Sequence, residues 1–142
     1  MSRSQIRQQI FLLLFSTEFF TREELETQLP LNMQCHEAVD GEEADAPVEM
    51  TEQDAAYIEA KVRAICDRLD EIDARINACA EGWTTTRMGK AELAIIRLAV
   101  YEMMYEEEIP VAVAINEAVE LAKVYGDEHG AAFVNGVLAK LA

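Results

Sequence analysis

The stretch VAVAINEAVELAKVYGDEHGAAFVNGVL, residues 111–138, consists of two apolar segments joined by a short polar one. Helical spacing gathers the apolar side chains of the first segment on one face: Ile115, Ala118, Val119, Ala122 and Tyr125. Asn116, Glu120 and Lys123 fall on the opposite face, where Glu120 and Lys123 are close enough to pair. Gly126 is a natural helix stop, so the stretch predicts two helices around a turn.

Polar side chains inside this stretch are either parts of an active site or the rim of a helical scaffold. Asn116 and Glu117 are the strongest candidates for chemistry, but the sequence offers neither a credible nucleophile nor a general base as their partner. We therefore interpret them as rim residues that hydrogen-bond to a neighbouring helix.

Helical spacing also dominates the rest of the chain, whereas strand-like alternation is almost absent. It predicts about seven helices, over residues 3–19, 21–29, 51–69, 70–82, 88–107, 110–125 and 130–141. Thr51 has the form of an N-cap with Asp54 three residues later, and Pro110 can occupy a first turn, where its missing amide costs nothing. Residues 30–50 carry Pro, Gly and many acids, which predicts an acidic loop. The predicted fold class is therefore all-α.

The length of 142 residues suits a single domain with one core or two small bundles. No apolar run approaches the roughly 20 residues that span a bilayer. The N-terminus has a basic start and an apolar centre but lacks a small-residue cleavage site, so we interpret it as a mature helix and predict a cytoplasmic protein without a membrane partner.

Three cysteines, Cys35, Cys66 and Cys79, cannot all pair within one chain, and no CxxC spacing occurs. This pattern favours a reducing compartment. Cys35 stands next to His36, which invites a metal site, but the other candidate ligands are scattered along the sequence. We therefore predict no metal site.

The formal net charge is −15, and the acidity is regional. Twelve of the 27 acidic residues lie between Glu23 and Glu59, a segment without Lys or Arg. Because Lys and Arg supply most of the affinity for phosphates, this segment is a poor surface for nucleic acid. Acidic and basic residues are nearly balanced elsewhere, so the charge does not exclude RNA binding by other parts of the chain.

Short motifs in the second half follow one another in a characteristic order: Trp83, Arg87, AIIRLAVYE (94–102), Ile109-Pro110, VAINEAVELAK (113–123), Tyr125-Gly126 and FVNGVL (133–138). In this order they resemble the NusB transcription antitermination factors. The resemblance implies a single domain of two small three-helix bundles packed at an angle, over about 1–69 and 70–142. It also implies binding of boxA-type single-stranded RNA together with NusE, a small-subunit ribosomal protein, at the transcribing RNA polymerase complex, without catalysis or cofactor.

Candidate RNA-binding residues also follow from the resemblance. Family members usually begin the first helix with an Arg-Arg-x-Ala-Arg motif, whereas this chain keeps only Arg3 and Arg7, so we expect RNA binding weaker than is usual for the family. Tyr125 and Phe133 flank the turn between the last two helices and could stack on bases, while Lys123 could contact phosphate. The alternatives are core packing for Phe133 and ordinary solvated side chains for Lys123 and the two arginines.

Charge complementarity suggests partner-facing residues, because ribosomal proteins are typically basic. Glu81 and Glu92 flank the first of the motifs and are candidates to face NusE; the alternative is that both are ordinary solvated surface acids. Arg87 and Arg97 lie in or beside apolar helix faces, so we expect structural roles for them. Gly136 inside a helix costs about 1 kcal/mol relative to Ala, which a close helix contact would offset.

Two other functions stay open from the sequence. A helical protein–protein interaction module, for example a homodimer with weak or lost RNA binding, would suit the net charge of −15 and the shortage of N-terminal arginines. The N-terminal domain of an RNA methyltransferase is disfavoured, because no Gly-rich methyl-donor domain follows before the sequence ends at Ala142.

Overall fold

The computed structural model describes residues 1–17, 50–79, 84–85 and 88–142, and most of these residues are helical. The helices are α1 (Arg3–Ser16), α2 (Glu52–Asp67), α3 (Leu69–Cys79), α4 (Lys90–Tyr105), α5 (Val111–Tyr125) and α6 (Gly130–Leu141). The described parts of the chain contain no strand, and the predicted all-α class is confirmed. The helix predicted over 21–29 and nearly all of the predicted acidic loop lie outside the described residues.

Side-chain caps fix the starts of the first two helices. Ser2 Oγ accepts a hydrogen bond from the Gln5 backbone N–H at 3.1 Å, and Gln5 Oε1 accepts one from the Ser2 N–H at 2.8 Å. The predicted N-cap at Thr51 is confirmed, since Thr51 Oγ1 accepts from the Asp54 N–H at 3.0 Å and Asp54 Oδ2 accepts from the Thr51 N–H at 3.2 Å. The hydrogen bond from the Thr51 N–H lowers the pKa of the Asp54 carboxyl below its ordinary value.

The chain divides into two compact units, residues 1–64 and 65–142. The first unit contains α1 and most of α2. Among the described residues of this unit, the fully buried large apolar side chains are Ile10, Phe11, Leu13, Ile58 and Val62. Within it, the Met1 amino group lies 3.6 Å from Asp54 Oδ2, so the start of α1 is held near the start of α2.

The second unit is a helical bundle in which α4, α5 and α6 all pack against one another, while α3 packs against α4 and α6. Its core is made of small and branched apolar side chains, among them Ile95, Ile96, Ala114, Ala118, Ala122, Val134 and Leu138. The alanines on α5 permit close approach of the neighbouring helices because they add little volume at the contact. The ends of α5 and α6 that meet at the 126–129 turn are therefore held by this core.

An ion pair joins α3 to α4 within the second unit. Arg97 Nε and Nη2 donate to the two carboxylate oxygens of Asp73 at 2.9 and 2.7 Å. The side chains are 13% and 24% exposed, so the pair is only partly solvated. The structural role predicted for Arg97 is confirmed, whereas Arg87 lies outside the described residues.

A surface cluster makes a second link between α3 and α4. The Tyr105 hydroxyl donates to a carboxylate oxygen of Glu71, and this hydrogen bond raises the pKa of the Tyr105 phenol. The Arg68 guanidinium lies over the Tyr105 ring, 4.4 Å from its centroid. In the parts of the chain described above, no helix combines the length and apolar character needed to cross a membrane.

Candidate functional site

Helix α5 presents a polar face to solvent just before the turn that leads into α6. Ala118 and Ala122 are buried on one side, whereas Asn116, Glu120 and Lys123 are exposed on the other, as helical spacing predicted. Lys123 Nζ lies 3.1 Å from Glu120 Oε1, and both side chains are more than half exposed. Exposed pairs of this kind contribute only about 0.3–0.5 kcal/mol, so the lysine can exchange this contact for another anion at little cost.

The turn between α5 and α6 is organised around Asp127. Its side-chain Oδ1 accepts from the His129 backbone N–H at 2.9 Å, and its backbone oxygen accepts from the Gly130 N–H at 3.0 Å. The Phe133 N–H then donates to the His129 backbone oxygen at 3.0 Å, which begins the hydrogen-bonding of α6. The position of Phe133 therefore follows from the conformation of the turn.

Gly126 ends α5, as predicted, but its backbone is not in the left-handed region. Its φ is −82° and its ψ is 174°, which any residue can adopt. A Cβ at this position would lie 2.7 Å from the Ala122 backbone oxygen. Glycine is required at Gly126 because of space rather than backbone conformation.

Glu92, in the first turn of α4, reaches the same turn from the side. Its Oε1 accepts a hydrogen bond from the Asp127 backbone N–H at 3.2 Å, and Glu92 is only 8% exposed. A Cβ added at Gly126 or Gly130 would stand 3.2 or 3.0 Å from that same oxygen. Glu92 was predicted to face NusE, and that contact stays a prediction; in the structure its carboxylate is largely buried and accepts a hydrogen bond from the turn.

A cavity of about 250 Å³ opens beside this turn. Its lining combines two large apolar side chains with glycines and polar groups: Met88, Gly89, Glu92, Asp127, His129, Gly130 and Phe133. Pockets for drug-sized ligands measure about 300–1,000 Å³, so this cavity suits a single flat ring or a small side chain. In the part of the chain that the structure describes, no group of three His, Cys, Asp or Glu side chains could hold a metal ion.

The predicted RNA-binding aromatics lie on either side of the turn. Phe133 is half-buried and forms one wall of the cavity, so it is neither a fully enclosed core residue nor a freely exposed one. Tyr125, at the last position of α5, is also half-buried. With the exposed Lys123, these residues share one edge of the second unit, which we call the α5–α6 edge.

The two predicted N-terminal arginines differ from each other. Arg3 is exposed in the first turn of α1, whereas Arg7 is only 6% exposed and has contacts within the protein. Both belong to the first unit. Glu81, the other predicted partner-facing acid, lies outside the described residues.

Several residues of this site carried no recognisable signal in the sequence. Met88, Gly89 and His129 line the cavity without belonging to any predicted site. The Glu92 to Asp127 hydrogen bond joins residues 35 positions apart, which no local spacing rule detects. Gly136 also differs from expectation, because outside its chain neighbours and the adjoining backbone of its own helix no atom of the described residues lies within 4 Å of where its Cβ would stand, so no close contact with another described helix accounts for it.

Comparisons with known proteins give a consistent result over the whole chain. A family model described as the NusB family matches residues 4–142. The transcription antitermination protein NusB of Agathobacter rectalis is 47% identical over 142 residues, covering 100% of both chains. That of Lachnoclostridium phytofermentans is 40% identical over 141 residues, covering 99% of this chain and 98% of the relative.

Solved structures agree with the sequence comparisons. A structure of T. maritima NusB superposes with a TM-score of 0.79 at 31% identity, covering 100% of this chain and 91% of that one. A structure of the antitermination factors NusB and NusE in complex with dsRNA superposes with a TM-score of 0.74 at 23% identity, covering 99% and 97%. The second likeness is one of fold alone.

Proposed function

The chain belongs to the NusB family, and from this premise we propose that it is a transcription antitermination factor that binds boxA-type RNA together with NusE. The observation that carries the proposal is a family match over residues 4–142, with a relative 47% identical along its full length. The relatives are transcription antitermination proteins, which agrees with a binding function rather than an enzymatic one. We place its action in the cytoplasm, at the transcribing RNA polymerase complex.

The α5–α6 edge is the RNA-facing surface in this proposal. A base that enters the cavity beside Phe133 would stack on its ring, and base–aromatic stacking is worth about 1–3 kcal/mol per base. Tyr125 offers a second aromatic surface on the other side of the turn. Lys123 supplies a positive charge, and its ammonium group can leave the ion pair with Glu120 to bind a phosphate.

The N-terminal arginines contribute unequally in this proposal. Arg3 is exposed, so its guanidinium can reach a phosphate without rearrangement of the protein. Arg7 is mostly buried, so its contact with RNA requires the side chain to leave its present surroundings. We therefore expect RNA binding by this chain alone to be weak, with a small dependence on salt.

The acidic character of the chain supports the proposal that its protein partner is basic. A net charge of −15 accelerates encounter with a basic ribosomal protein and raises the specificity of the complex more than its affinity. Glu81 is retained as a proposed contact with NusE. Glu92 contributes to RNA binding indirectly, because it holds the α5–α6 turn through its hydrogen bond with Asp127.

Matched substitutions at the α5–α6 edge test this proposal. Phe133→Leu keeps an apolar side chain but removes the stacking surface, and we expect it to weaken boxA RNA binding in the presence of NusE by about 1 kcal/mol or more. Lys123→Ala should weaken binding to all RNAs similarly, and its control is Lys140→Ala, which removes an exposed lysine from the far end of α6. If the Lys123 and Lys140 variants weaken binding equally, the effect is one of total charge and the edge is not the RNA surface.

The net charge of −15 and the two remaining N-terminal arginines favour one second candidate, an interaction module or homodimer that works through protein contacts alone. Analytical ultracentrifugation of the chain with and without NusE separates the two functions. A homodimer that neither RNA nor NusE perturbs would support the second candidate.

A further inference from the structure

We propose that Glu92 is a positioning residue for RNA binding, and that its buried carboxylate holds the α5–α6 turn in the conformation that opens the cavity beside Phe133. This inference rests on the proposed function, because it concerns how the RNA-facing edge is kept in place. Glu92 itself need not touch RNA. Its effect passes through Asp127 and the start of α6.

A continuous series of hydrogen bonds connects the carboxylate to the aromatic wall of the cavity. Glu92 Oε1 accepts from the Asp127 N–H at 3.2 Å, and Asp127 in turn accepts from the N–H groups of His129 and Gly130 at 2.9 and 3.0 Å. The Phe133 N–H donates to the His129 oxygen at 3.0 Å. Loss of the first bond therefore releases the residue on which the rest of the turn depends.

The space around the carboxylate is the second, independent observation. Three glycines converge on it, from the start of α4, the end of α5 and the start of α6: Gly89, Gly126 and Gly130. A Cβ at Gly130 would lie 3.0 Å from Oε1, and one at Gly89 would approach Oε2 more closely than real Cβ atoms do. Gly136, in the same helix as Gly130, has open space around it among the described residues, so the crowding at Gly130 is not a general property of this helix.

A turn fixed before the ligand arrives lowers the entropic cost of binding. Without the Glu92 acceptor, the Asp127 N–H loses its protein partner, and the turn can open so that this N–H binds water or another acceptor. RNA would then bind only the fraction of molecules whose turn has the binding-competent conformation. The measured Kd would rise in inverse proportion to that fraction. The expected signature is loss of affinity together with local opening at Asp127.

The test compares Glu92→Gln with Glu92→Ala in the full chain, using a boxA RNA oligonucleotide, NusE and amide hydrogen exchange. Glutamine keeps an acceptor oxygen of the same reach, so we expect RNA affinity within about twofold of the parent and slow exchange at the Asp127 amide. Alanine should raise the Kd about five- to tenfold and accelerate exchange at Asp127 by a similar factor. All measurements are made at a temperature where circular dichroism shows every variant folded.

Gly130→Ala provides a second route to the same answer if Glu92→Ala fails to fold. It leaves the carboxylate in place but crowds Oε1, and it should weaken RNA binding, whereas Gly136→Ala in the same helix should not. Equal loss of NusE-dependent binding in the Gln and Ala variants, with unchanged exchange at Asp127, would overturn the inference and make Glu92 a charged partner contact. Absence of RNA binding by the parent overturns the proposed function instead, and accelerated exchange at Asp127 in Glu92→Ala would still identify the hydrogen bond.

Discussion

Substitution of Gly126 by alanine gives a sharp test of why the turn after α5 has its present form. The backbone of Gly126 is extended, so alanine is conformationally allowed and would stabilise the protein by about 0.4–1 kcal/mol through the unfolded state alone. Its Cβ, however, would lie 2.7 Å from the Ala122 oxygen and 3.2 Å from Glu92 Oε1. Crowding of well-packed atoms typically costs about 1–3 kcal/mol. We therefore expect Gly126→Ala to lower the free energy of unfolding by about 1–2 kcal/mol.

Gly136→Ala is the matched control, because it makes the same chemical change in a helix with open space around the new methyl group. Alanine is favoured over glycine in a helix interior by about 0.8–1 kcal/mol, so this variant should be more stable than the parent. Urea denaturation of the three proteins measures both differences. If the Gly126→Ala protein is as stable as the parent, the turn can shift to accommodate the methyl group at no cost. That result would refute the steric explanation of Gly126.

Further predictions concern the caps, the ion pair and the exposed lysine. Thr51→Ala should lower the free energy of unfolding by about 1 kcal/mol in urea denaturation, since it removes the cap of α2. Because the folded pKa of Asp54 is lowered, its stabilising effect is complete above its unfolded pKa and is lost as pH falls through the folded pKa, so the stability difference between the parent and Asp54→Asn should shrink in acid denaturation series. Arg97→Ala should cost about 2–3 kcal/mol, and a double-mutant cycle with Asp73→Ala should give a coupling energy above about 1 kcal/mol. Lys123→Ala should change thermal stability by only a few tenths of a kcal/mol, roughly the worth of its exposed pair with Glu120.

Local sequence patterns predicted the helical elements because the physics behind them is local. Helical spacing alone separates the buried Ala118 and Ala122 from the exposed Lys123, and the structure has the same division. The Thr51 cap was also predictable, since the hydroxyl and its partner amide are three residues apart. The family resemblance, carried by motifs over residues 83–138, holds for residues 4–142.

The candidate site was harder to predict, because its contacts join distant parts of the chain. Charge complementarity led to the prediction that Glu92 faces a basic partner, yet its side chain is largely buried against a turn 35 residues later. The role of a glycine likewise depends on what surrounds it. Gly136 was expected to permit a close contact and has open space among the described residues, whereas Gly126 and Gly130 border a buried carboxylate.

Phe133 shows how far burial at the α5–α6 edge could be predicted from the sequence. Its neighbours Val134, Val137 and Leu138 are buried, which made core packing the natural interpretation from sequence. The side chain is instead half-buried and lines the wall of a cavity. A supported aromatic ring loses little entropy when a base stacks on it, which suits an RNA-facing position.

The most direct test of the proposed function is the affinity of the full chain for a boxA RNA and for a scrambled RNA of the same composition, each with and without NusE across a salt series. We predict preferential binding of boxA RNA when NusE is present, and weak binding with a low salt slope by the chain alone. Equal affinity for the two RNAs under both conditions would contradict the account and leave a protein that acts through protein contacts only.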